Sequence, residues 1–216
     1  MYRRFFKRFF DFWLSLFAIV CLSPLFLILI AVGAVAMRGN PFFMQLRPGK
    51  INKKTGKERI FKLVKFRTMS NAKDKDGNLL PDHVRLNTYG KLLRSTSLDE
   101  LPELFNILVG HMSIVGPRPL LVSYLPYYTE EERHRHDVRP GLTGLAQVSG
   151  RNNLAWEQRF ITDVRYVRSI SLWLDIKILF LTVKRVLCKS DVSADTNASE
   201  GNFAQIRKAQ QEKTTV

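Results

Sequence analysis

An uncharged, apolar stretch runs from Phe12 to Met37, close to the start of the chain. It is longer than the ~20 apolar residues that a helix needs to cross a bilayer. A cleavable signal peptide fits less well, because the stretch is too long and no small-x-small cleavage pattern follows it. The stretch therefore predicts a membrane anchor that stays attached to the chain.

The middle of this stretch contains Ser23 and Pro24. Proline removes a backbone hydrogen bond and kinks or breaks a helix. Basic residues stand at both ends, and such flanks are retained in the cytoplasm. We therefore expect residues 1–40 to enter the membrane, bend at Ser23-Pro24 and return to the same side. A spanning helix with a proline kink is the alternative.

The net charge of +15 is concentrated beside this anchor. The first 70 residues hold 14 of the 34 Lys and Arg residues but only two of the 19 Asp and Glu residues. Such a basic N-terminal region indicates an anionic partner. The neighbouring anchor favours acidic lipid or a phosphorylated substrate over nucleic acid. A hydrophobic content of 45% excludes disorder over most of the chain, and two cysteines exclude a disulfide scaffold.

Beyond the anchor, the pattern predicts a small α/β domain over residues 41–189 that is mainly α-helical. Residues 60–66 have the composition of a short strand. Residues 153–169 predict a helix, and its apolar stripe of Trp156, Phe160, Val164 and Val167 is expected to be core. Residues 172–187 predict a second helix, which is apolar enough to lie at the membrane surface or to pack inside the domain. Residues 190–216 are polar and predict a solvated, flexible tail.

The pair Asp99-Glu100 is the most informative candidate for chemistry. Residues 97–100 have the Ser-x-x-Glu form of a capping box, which places both carboxylates in the first turn of a helix. Compensation of the helix dipole would explain them equally well. Arg94 precedes the pair, and Arg118 lies in the rigid turn Val115–Pro119. Acids that bind Mg²⁺ beside arginines that bind phosphate oxygens would form a site for a charged phosphate ligand.

Other candidates carry less information. Lys65 and Arg67 follow the predicted strand, where they would meet a phosphate or remain solvated. Residues 134–137 (HRHD) are better explained as a solvated charged face than as a metal cluster. The chain contains neither a P-loop nor a dinucleotide-binding glycine motif.

Several motifs together resemble one known family, the monotopic phosphoglycosyl transferases, also called bacterial sugar transferases. The similarity covers about residues 1–190 and includes the anchor with Ser23-Pro24. Its further motifs are KFRTM at 65–69, RSTSLDELPELFNIL at 94–108, MSIVGPRPLL at 112–121 and RHDVRPGLTGLAQVSGRN at 135–152. Because the chain is little more than this core, it resembles the small members, such as the enzyme that initiates bacterial N-linked protein glycosylation.

The resemblance implies an enzyme that transfers a phosphosugar from a UDP-sugar to a polyprenyl phosphate, usually undecaprenyl phosphate, with release of UMP. The reaction would be the first membrane step of glycoconjugate biosynthesis, at the cytoplasmic face of the bacterial inner membrane, where the enzyme is monotopic and contacts the lipid of that leaflet. No nucleic acid partner is expected.

The resemblance also assigns roles to residues. Asp99 corresponds to the nucleophile and Mg²⁺ ligand, and Glu100 to its supporting acid or base. Pro117, Arg118 and Pro119 form the Pro-Arg-Pro motif, with Arg118 on phosphate. Arg151 corresponds to a position associated with the uridine part, and Ser23-Pro24 to the bend of the re-entrant helix.

The sequence leaves open one alternative mechanism and two alternative functions. The same transfer can proceed in a ternary complex, without a covalent intermediate on Asp99. The basic and aromatic N-terminus (Phe5, Phe6, Phe9 and Phe10) would also suit a membrane-tethered nucleic-acid-binding protein, for which a steep salt dependence of oligonucleotide binding would be diagnostic. A non-catalytic membrane scaffold would tolerate the loss of the Asp99 carboxylate.

Overall fold

The architecture is that of a computed structural model, which describes residues 1–150, 154–187, 203–209 and 212. The main helices are α1 (Phe6–Cys21), α2 (Ser23–Ala36), α3 (Asp82–Arg85), α4 (Thr88–Thr96), α5 (Glu103–Leu108), α6 (Glu130–Arg133), α7 (Leu145–Ser149), α8 (Trp156–Arg168) and α9 (Leu172–Leu187). Short 3₁₀ turns cover Leu98–Glu100, Val122–Tyr127 and His134–Asp137. The strands are β1 (Phe42–Ile51), β2 (Glu58–Phe66), β3 (Ser113–Val115) and β4 (Gly141–Thr143).

The N-terminal apolar stretch forms α1 and α2, which meet at a bend of 65°. Pro24 lies in the first turn of α2, where its missing N–H costs no helical hydrogen bond. The bend therefore lies where the sequence predicts it. Among the described residues no single helix is long and apolar enough to cross a membrane, although this bent pair passes that test as a unit.

Both ends of this helix pair are bonded to the same domain. At the start of α1, the Arg8 guanidinium donates to the carbonyl oxygens of Ile107 and Leu108 at 2.6 and 2.7 Å. These are the last carbonyls of α5, which a cation satisfies well. At the end of α2, the Asn87 amide donates to the Ala36 carbonyl at 3.1 Å.

A buried carboxylate, Asp175 of α9, joins the N-terminus to the C-terminal helices. Its Oδ2 accepts from Lys7 Nζ and from the Tyr2 hydroxyl, each at 2.6 Å, and its Oδ1 accepts from the Tyr166 hydroxyl at 2.8 Å. Lys7, which the sequence places in the basic flank, is thus engaged inside the protein and not presented to lipid.

Two small sheets carry the loops of the site. β1 and β2 pair antiparallel, with Phe42 opposite Phe66, which confirms the strand predicted over 60–66. β3 and β4 pair in parallel, with Ser113 opposite Gly141. A Cβ on Gly141 would lie 2.1 Å from the Gly116 nitrogen, so only glycine allows this backbone approach.

The principal core lies between α2, β2 and α5. Phe26 of α2, Phe66 of β2 and Ile107 of α5 are all buried in it. The predicted stripe on α8 is confirmed as core, since Phe160 and Val164 are buried. α9 is amphipathic: Ile178 is buried, whereas an apolar row on the same helix is exposed, comprising Trp173, Ile176, Phe180 and Val183.

Candidate functional site

The pair Asp99-Glu100 lies in a 3₁₀ turn and not at the start of a helix, so the capping-box prediction is wrong. Ser97 adopts a left-handed conformation (φ 56°) and ends α4, and its side chain caps nothing. The next helix, α5, begins only after Pro102. Compensation of a helix dipole therefore does not explain why two acids stand at this position. The charged side chains around them must provide the explanation.

Glu100 is held by two cations from distant parts of the chain. Its Oε1 lies 2.8 Å from Lys65 Nζ at the end of β2 and 2.8 Å from Arg118 Nη2. Burial alone would raise the pKa of Glu100, but the charges of Arg118 and Lys65 and the hydrogen bonds that they donate hold it far below its usual range. Glu100 is therefore ionised at any physiological pH.

Asp99 has the opposite character. Burial and the adjacent negative charge of Glu100 raise the pKa of Asp99 to about 6, against the opposing charges of Lys65, Arg118 and Arg94. Within the described part of the chain no side chain donates a hydrogen bond to the Asp99 carboxylate, and its neighbours act on it through their charges. The two adjacent acids thus differ: one is fixed by cations, and the other is available to a ligand.

A third acid, Glu103, lies behind the pair and was not singled out from the sequence. Its side chain is 3% exposed, and its Oε1 lies 3.2 Å from Lys65 Nζ. Lys65 therefore bridges Glu100 and Glu103. Burial raises the pKa of Glu103 to about 7; Lys65 opposes this rise and Glu100 adds to it. The spacing Glu100-x-x-Glu103 was the available signal, since residues three apart share one side of a helical turn.

The predicted phosphate-binding residues are distributed unevenly around the acids. Lys65 and Arg118 contact Glu100, and Arg94 acts on Asp99 electrostatically while its Nε donates to Thr68 Oγ1 at 3.1 Å. Arg67 follows β2 and is not one of the two cations that bond to Glu100. Its backbone N–H donates to the Pro41 carbonyl at 2.7 Å. Arg151 lies outside the described residues.

The Pro-Arg-Pro turn is fixed on both sides of Arg118. The Pro117 carbonyl accepts from the Gly141 N–H at 2.9 Å, and the Pro119 carbonyl accepts from Arg47 Nη1 at 3.1 Å. The Arg118 carbonyl accepts from Arg135 Nη2 at 2.8 Å. The Arg118 side chain is 26% exposed, so solvent reaches part of it.

Arg135 corrects the prediction of a solvated face over residues 134–137. The Arg135 side chain is 1% exposed, and its Nη2 lies 2.8 Å from Asp163 Oδ2. His136 is buried as well. At three residues per turn, His134 and Asp137 lie on one exposed side of this 3₁₀ turn and bond at 2.9 Å, whereas Arg135 and His136 lie on its other sides and are buried. The buried Arg135 side chain thus links this segment to the Pro-Arg-Pro turn, whose backbone it holds.

The acids suit a divalent cation that is shared with a ligand. Within the described residues no group of three or more His, Cys, Asp or Glu side chains is arranged to hold a metal ion by itself. Asp99 offers a carboxylate whose raised pKa a nearby cation would lower. Mg²⁺ typically binds through one or two carboxylates and completes its shell with water and substrate phosphates. The donor set therefore fits that arrangement.

Glu103→Gln should flatten the pH dependence of stability between pH 4.5 and pH 7. The folded state raises the pKa of Glu103 from 4.5 to about 7, so it binds this proton more tightly than the unfolded state does. The stabilisation is present below pH 4.5 and is lost as the pH rises through 7. Thermal unfolding midpoints of detergent-purified protein, measured across this range, should fall less in the variant than in the wild type.

The control for this experiment is Glu130→Gln, at an exposed position on α6. It should retain the wild-type slope. Asp99 contributes a slope of the same sign at lower pH, because its pKa is also raised, and that part should persist in Glu103→Gln. Equal slopes for the wild type and Glu103→Gln would show that Glu103 does not bind its proton as the structure implies.

Comparisons with known proteins identify similarity to bacterial sugar transferases. The family model described as bacterial sugar transferase matches residues 2–189. The chain is 47% identical over 197 residues to EpsL of Bacillus subtilis, an uncharacterized sugar transferase, which covers 91% of this chain and 95% of that protein. It is 39% identical to a UDP-glucose:undecaprenyl-phosphate glucose-1-phosphate transferase of Klebsiella pneumoniae, over 82% of this chain but only 39% of that protein. The exopolysaccharide production protein ExoY of Sinorhizobium fredii is 38% identical, over 83% and 84% of the two chains.

Proposed function

The chain belongs to the bacterial sugar transferase family, and from this premise we propose that it transfers a phosphosugar from a UDP-sugar to undecaprenyl phosphate. The products would be undecaprenyl-diphosphate-sugar and UMP. The names of the relatives support this reaction class, since the Klebsiella protein is named for transfer of glucose 1-phosphate to this lipid carrier. ExoY is named for exopolysaccharide production, which fits a first membrane step of glycoconjugate biosynthesis.

The observation that carries the proposal is the asymmetry of the two adjacent acids. Glu100 is fixed between Lys65 and Arg118, whereas the neighbours of Asp99 act on it through their charges and its pKa is raised. A nucleophile must keep its attacking oxygen unencumbered, and its neighbours must tolerate an incoming anion. Asp99 meets the first condition, and the cations around the acids meet the second.

In the first step, a carboxylate oxygen of Asp99 attacks the sugar-bearing phosphorus of the UDP-sugar. A new bond forms between Asp99 and phosphorus, the bond from that phosphorus to the bridging oxygen breaks, and UMP leaves with the electron pair. Arg118 binds the phosphate oxygens, where a guanidinium offers two parallel donors. Glu100 keeps Lys65 and Arg118 in place, so the cations are arranged before the substrate arrives.

In the second step, a phosphate oxygen of undecaprenyl phosphate attacks the same phosphorus. The bond between phosphorus and Asp99 breaks, which regenerates the carboxylate and yields the diphosphate-linked sugar. Direct attack of the lipid phosphate on the UDP-sugar in a ternary complex is the competing route. The two routes differ in whether the sugar phosphate ever resides on Asp99.

We also propose that Mg²⁺ is the cofactor, held by Asp99 together with phosphate oxygens of the substrate. When bound, the ion would neutralise charge on the diphosphate and favour the ionised form of Asp99. The support is the donor set: Glu100 is already bonded to two cations, whereas burial and the charge of Glu100 raise the pKa of Asp99, which a bound cation would lower.

We further propose that residues 1–40 form a re-entrant anchor, and that residues 41–189 form a catalytic domain on the cytoplasmic face of the inner membrane. The support is that Arg8 and Ala36, at opposite ends of the bent pair, bond to elements of the same domain. A spanning arrangement would place these two ends on opposite sides of the bilayer. The exposed apolar rows on α1 and α9 would rest in the same leaflet.

Cysteine labelling should find both ends of this anchor on the cytoplasmic side. In a background with Cys21 and Cys188 replaced by serine, Arg4→Cys and Lys54→Cys should react equally with an impermeant maleimide added from the cytoplasm. Val20→Cys, exposed beside the bend, is the matched control and should be protected by lipid. Labelling of either flank only from the periplasm would reject re-entry.

Arg118→Ala should lower kcat/KM for the UDP-sugar by about ten- to a hundredfold, because charge-assisted hydrogen bonds to phosphate are lost. Arg118→Lys should recover only part of this, since an ammonium group cannot reproduce the planar fork of donors. Arg168→Ala removes an exposed arginine that pairs with Glu131 at the surface, and should behave as the wild type. Full activity of the lysine variant would mean that charge alone is required.

The function itself is tested by UMP release from a panel of UDP-sugars, in vesicles with and without undecaprenyl phosphate. Sustained UMP release that requires the lipid, together with a lipid-linked sugar product, is the expected result for at least one sugar. Failure of every UDP-sugar to yield UMP or a lipid-linked product, with folded protein in the vesicles, would reject the proposal.

A further inference from the structure

Residues 203–209 are helical and lie beyond the family match, which ends at residue 189. The sequence predicts a solvated, flexible tail over residues 190–216, and this segment lies within it. Phe203 is completely buried. It is the only aromatic residue in the sequence after α9, and an isolated ring in a polar tail was the signal from which its burial could have been predicted. A fully buried phenylalanine in an otherwise polar stretch requires a partner surface.

That surface is a pocket of four rings, Tyr124, Tyr128, Trp156 and Phe160, which we call the aromatic pocket. The centroid of the Phe203 ring lies 5.0 Å from those of Tyr124 and Phe160, 5.2 Å from that of Trp156 and 5.8 Å from that of Tyr128. These separations are typical of favourable aromatic pairs. Phe203 therefore fills the centre of the pocket.

A charged contact secures the same segment from outside. The Arg207 guanidinium pairs with Glu132 of α6 and lies over the Phe203 ring, 5.5 Å from its centroid. Both side chains of this ion pair are largely buried, at 19% and 12% exposed. The segment is thus bound by an aromatic anchor and by an ion pair one helical turn further along.

Arg135 connects the aromatic pocket to the Pro-Arg-Pro turn. The Arg135 guanidinium lies over the rings of Tyr128 and Phe160, at 5.7 and 5.6 Å from their centroids, and Nη1 donates to the Tyr128 hydroxyl at 3.3 Å. Its Nη2 donates to the Arg118 carbonyl at 2.8 Å. Phe203 therefore packs against the two rings that flank the residue holding the Arg118 backbone.

We propose that residues 203–209 act as a C-terminal latch, a positioning element that fixes the Pro-Arg-Pro turn for phosphate binding through the aromatic pocket and Arg135. The assignment of Arg118 to phosphate rests on the proposed function. Without Phe203, the rings of Tyr128 and Phe160 lose a packing partner, and Arg135 loses the rigid surface that orients its guanidinium. The Arg118 side chain would then sample more positions than the one that binds substrate.

The test uses the full-length chain with Phe203→Ala, Phe203→Leu as the conservative variant, and the exposed Gln205→Ala as the control on the same segment. In Phe203→Ala, KM for the UDP-sugar should rise about tenfold while kcat changes less than about twofold, since the acids keep their own contacts. Phe203→Leu should restore most of the loss, and Gln205→Ala should match the wild type. A peptide of residues 199–216 added to Phe203→Ala should lower KM, whereas the same peptide with alanine at position 203 should not.

A second readout needs no substrate. The Gly141 N–H donates to the Pro117 carbonyl, so hydrogen exchange at Gly141 reports on the Pro-Arg-Pro turn. Exchange there should be faster in Phe203→Ala and should slow again with the peptide. Because this result does not depend on turnover, it separates failure of the latch from failure of the proposed reaction. Wild-type KM and wild-type exchange at Gly141 in a folded Phe203→Ala protein would overturn the proposal.

Discussion

Replacing Lys65 by methionine should both destabilise the protein and nearly abolish turnover. Lys65 Nζ lies 2.8 Å from Glu100 Oε1 and 3.2 Å from Glu103 Oε1, so one ammonium group compensates two carboxylates. Methionine fills a similar volume without the charge. Breaking a buried pair by removing one partner typically costs ~3–5 kcal/mol, and the cost here should be smaller because Arg118 still compensates Glu100. The unfolding midpoint of detergent-purified protein should fall accordingly.

Turnover should fall in the same variant for an electrostatic reason. The Lys65 charge is the largest of the charges that lower the pKa of Asp99 and oppose the effect of burial. Without it the pKa of Asp99 should rise, and a smaller fraction of Asp99 would be ionised at neutral pH. The loss of kcat should therefore be partly recovered at higher pH, which initial rates of UMP release between pH 7 and 9 will reveal.

The matched control is Lys62→Met, on the same strand but exposed to solvent. It removes the same charge and should change neither stability nor rate. Glu103→Gln combined with Lys65→Met should unfold near the midpoint of Lys65→Met alone, because without Lys65 the pKa of Glu103 rises further above its usual range and that carboxyl is already neutral at pH 7. A Lys65→Met protein that unfolds at the wild-type midpoint would contradict the role of Lys65 as the shared cation.

Local sequence rules predicted those features that depend on local chemistry. Pro24 bends the apolar stretch at the predicted place, because proline acts on its own helix wherever it is found. The helical periodicity over α8 correctly predicted that Phe160 and Val164 are buried. The strand β2 was likewise confirmed. These elements need no knowledge of what packs against them.

The capping box at Ser97 failed because contacts distant in sequence override it. Glu100, the residue that a capping box would turn back towards the Ser97 N–H, is bonded to Lys65 and Arg118. Two ion pairs outweigh one local hydrogen bond, so the turn remains 3₁₀ and Ser97 ends the preceding helix. The motif pointed to the acids that lie in the site, but it predicted the wrong local structure for them.

The remaining omissions have a related cause. Glu103, Arg135 and Phe203 are charged or isolated residues that become buried only through partners elsewhere in the chain, namely Lys65, Asp163 and the aromatic pocket. A single sequence contains no record of such pairings. A buried charge is ordinarily assigned to the surface until its partner is known, because charged residues are mostly exposed.

Asp99→Asn should lower turnover to below about a thousandth of the wild type, the scale expected when a covalent nucleophile is removed. Asparagine keeps the shape of the side chain but has no carboxylate oxygen with which to attack phosphorus. Glu100→Gln should slow the reaction without abolishing it, since its proposed role is to hold Lys65 and Arg118. With UDP-sugar and Mg²⁺ but no lipid acceptor, the wild type should release about one UMP per active site, and Asp99→Asn none.

The covalent step is tested most directly by intact-protein mass spectrometry after rapid mixing with UDP-sugar in the absence of undecaprenyl phosphate. The wild type should gain the mass of one sugar phosphate, which disappears when the lipid acceptor is added, and Asp99→Asn should gain none. A wild-type enzyme that turns over with acceptor present yet never carries this mass would contradict the account and favour direct transfer in a ternary complex.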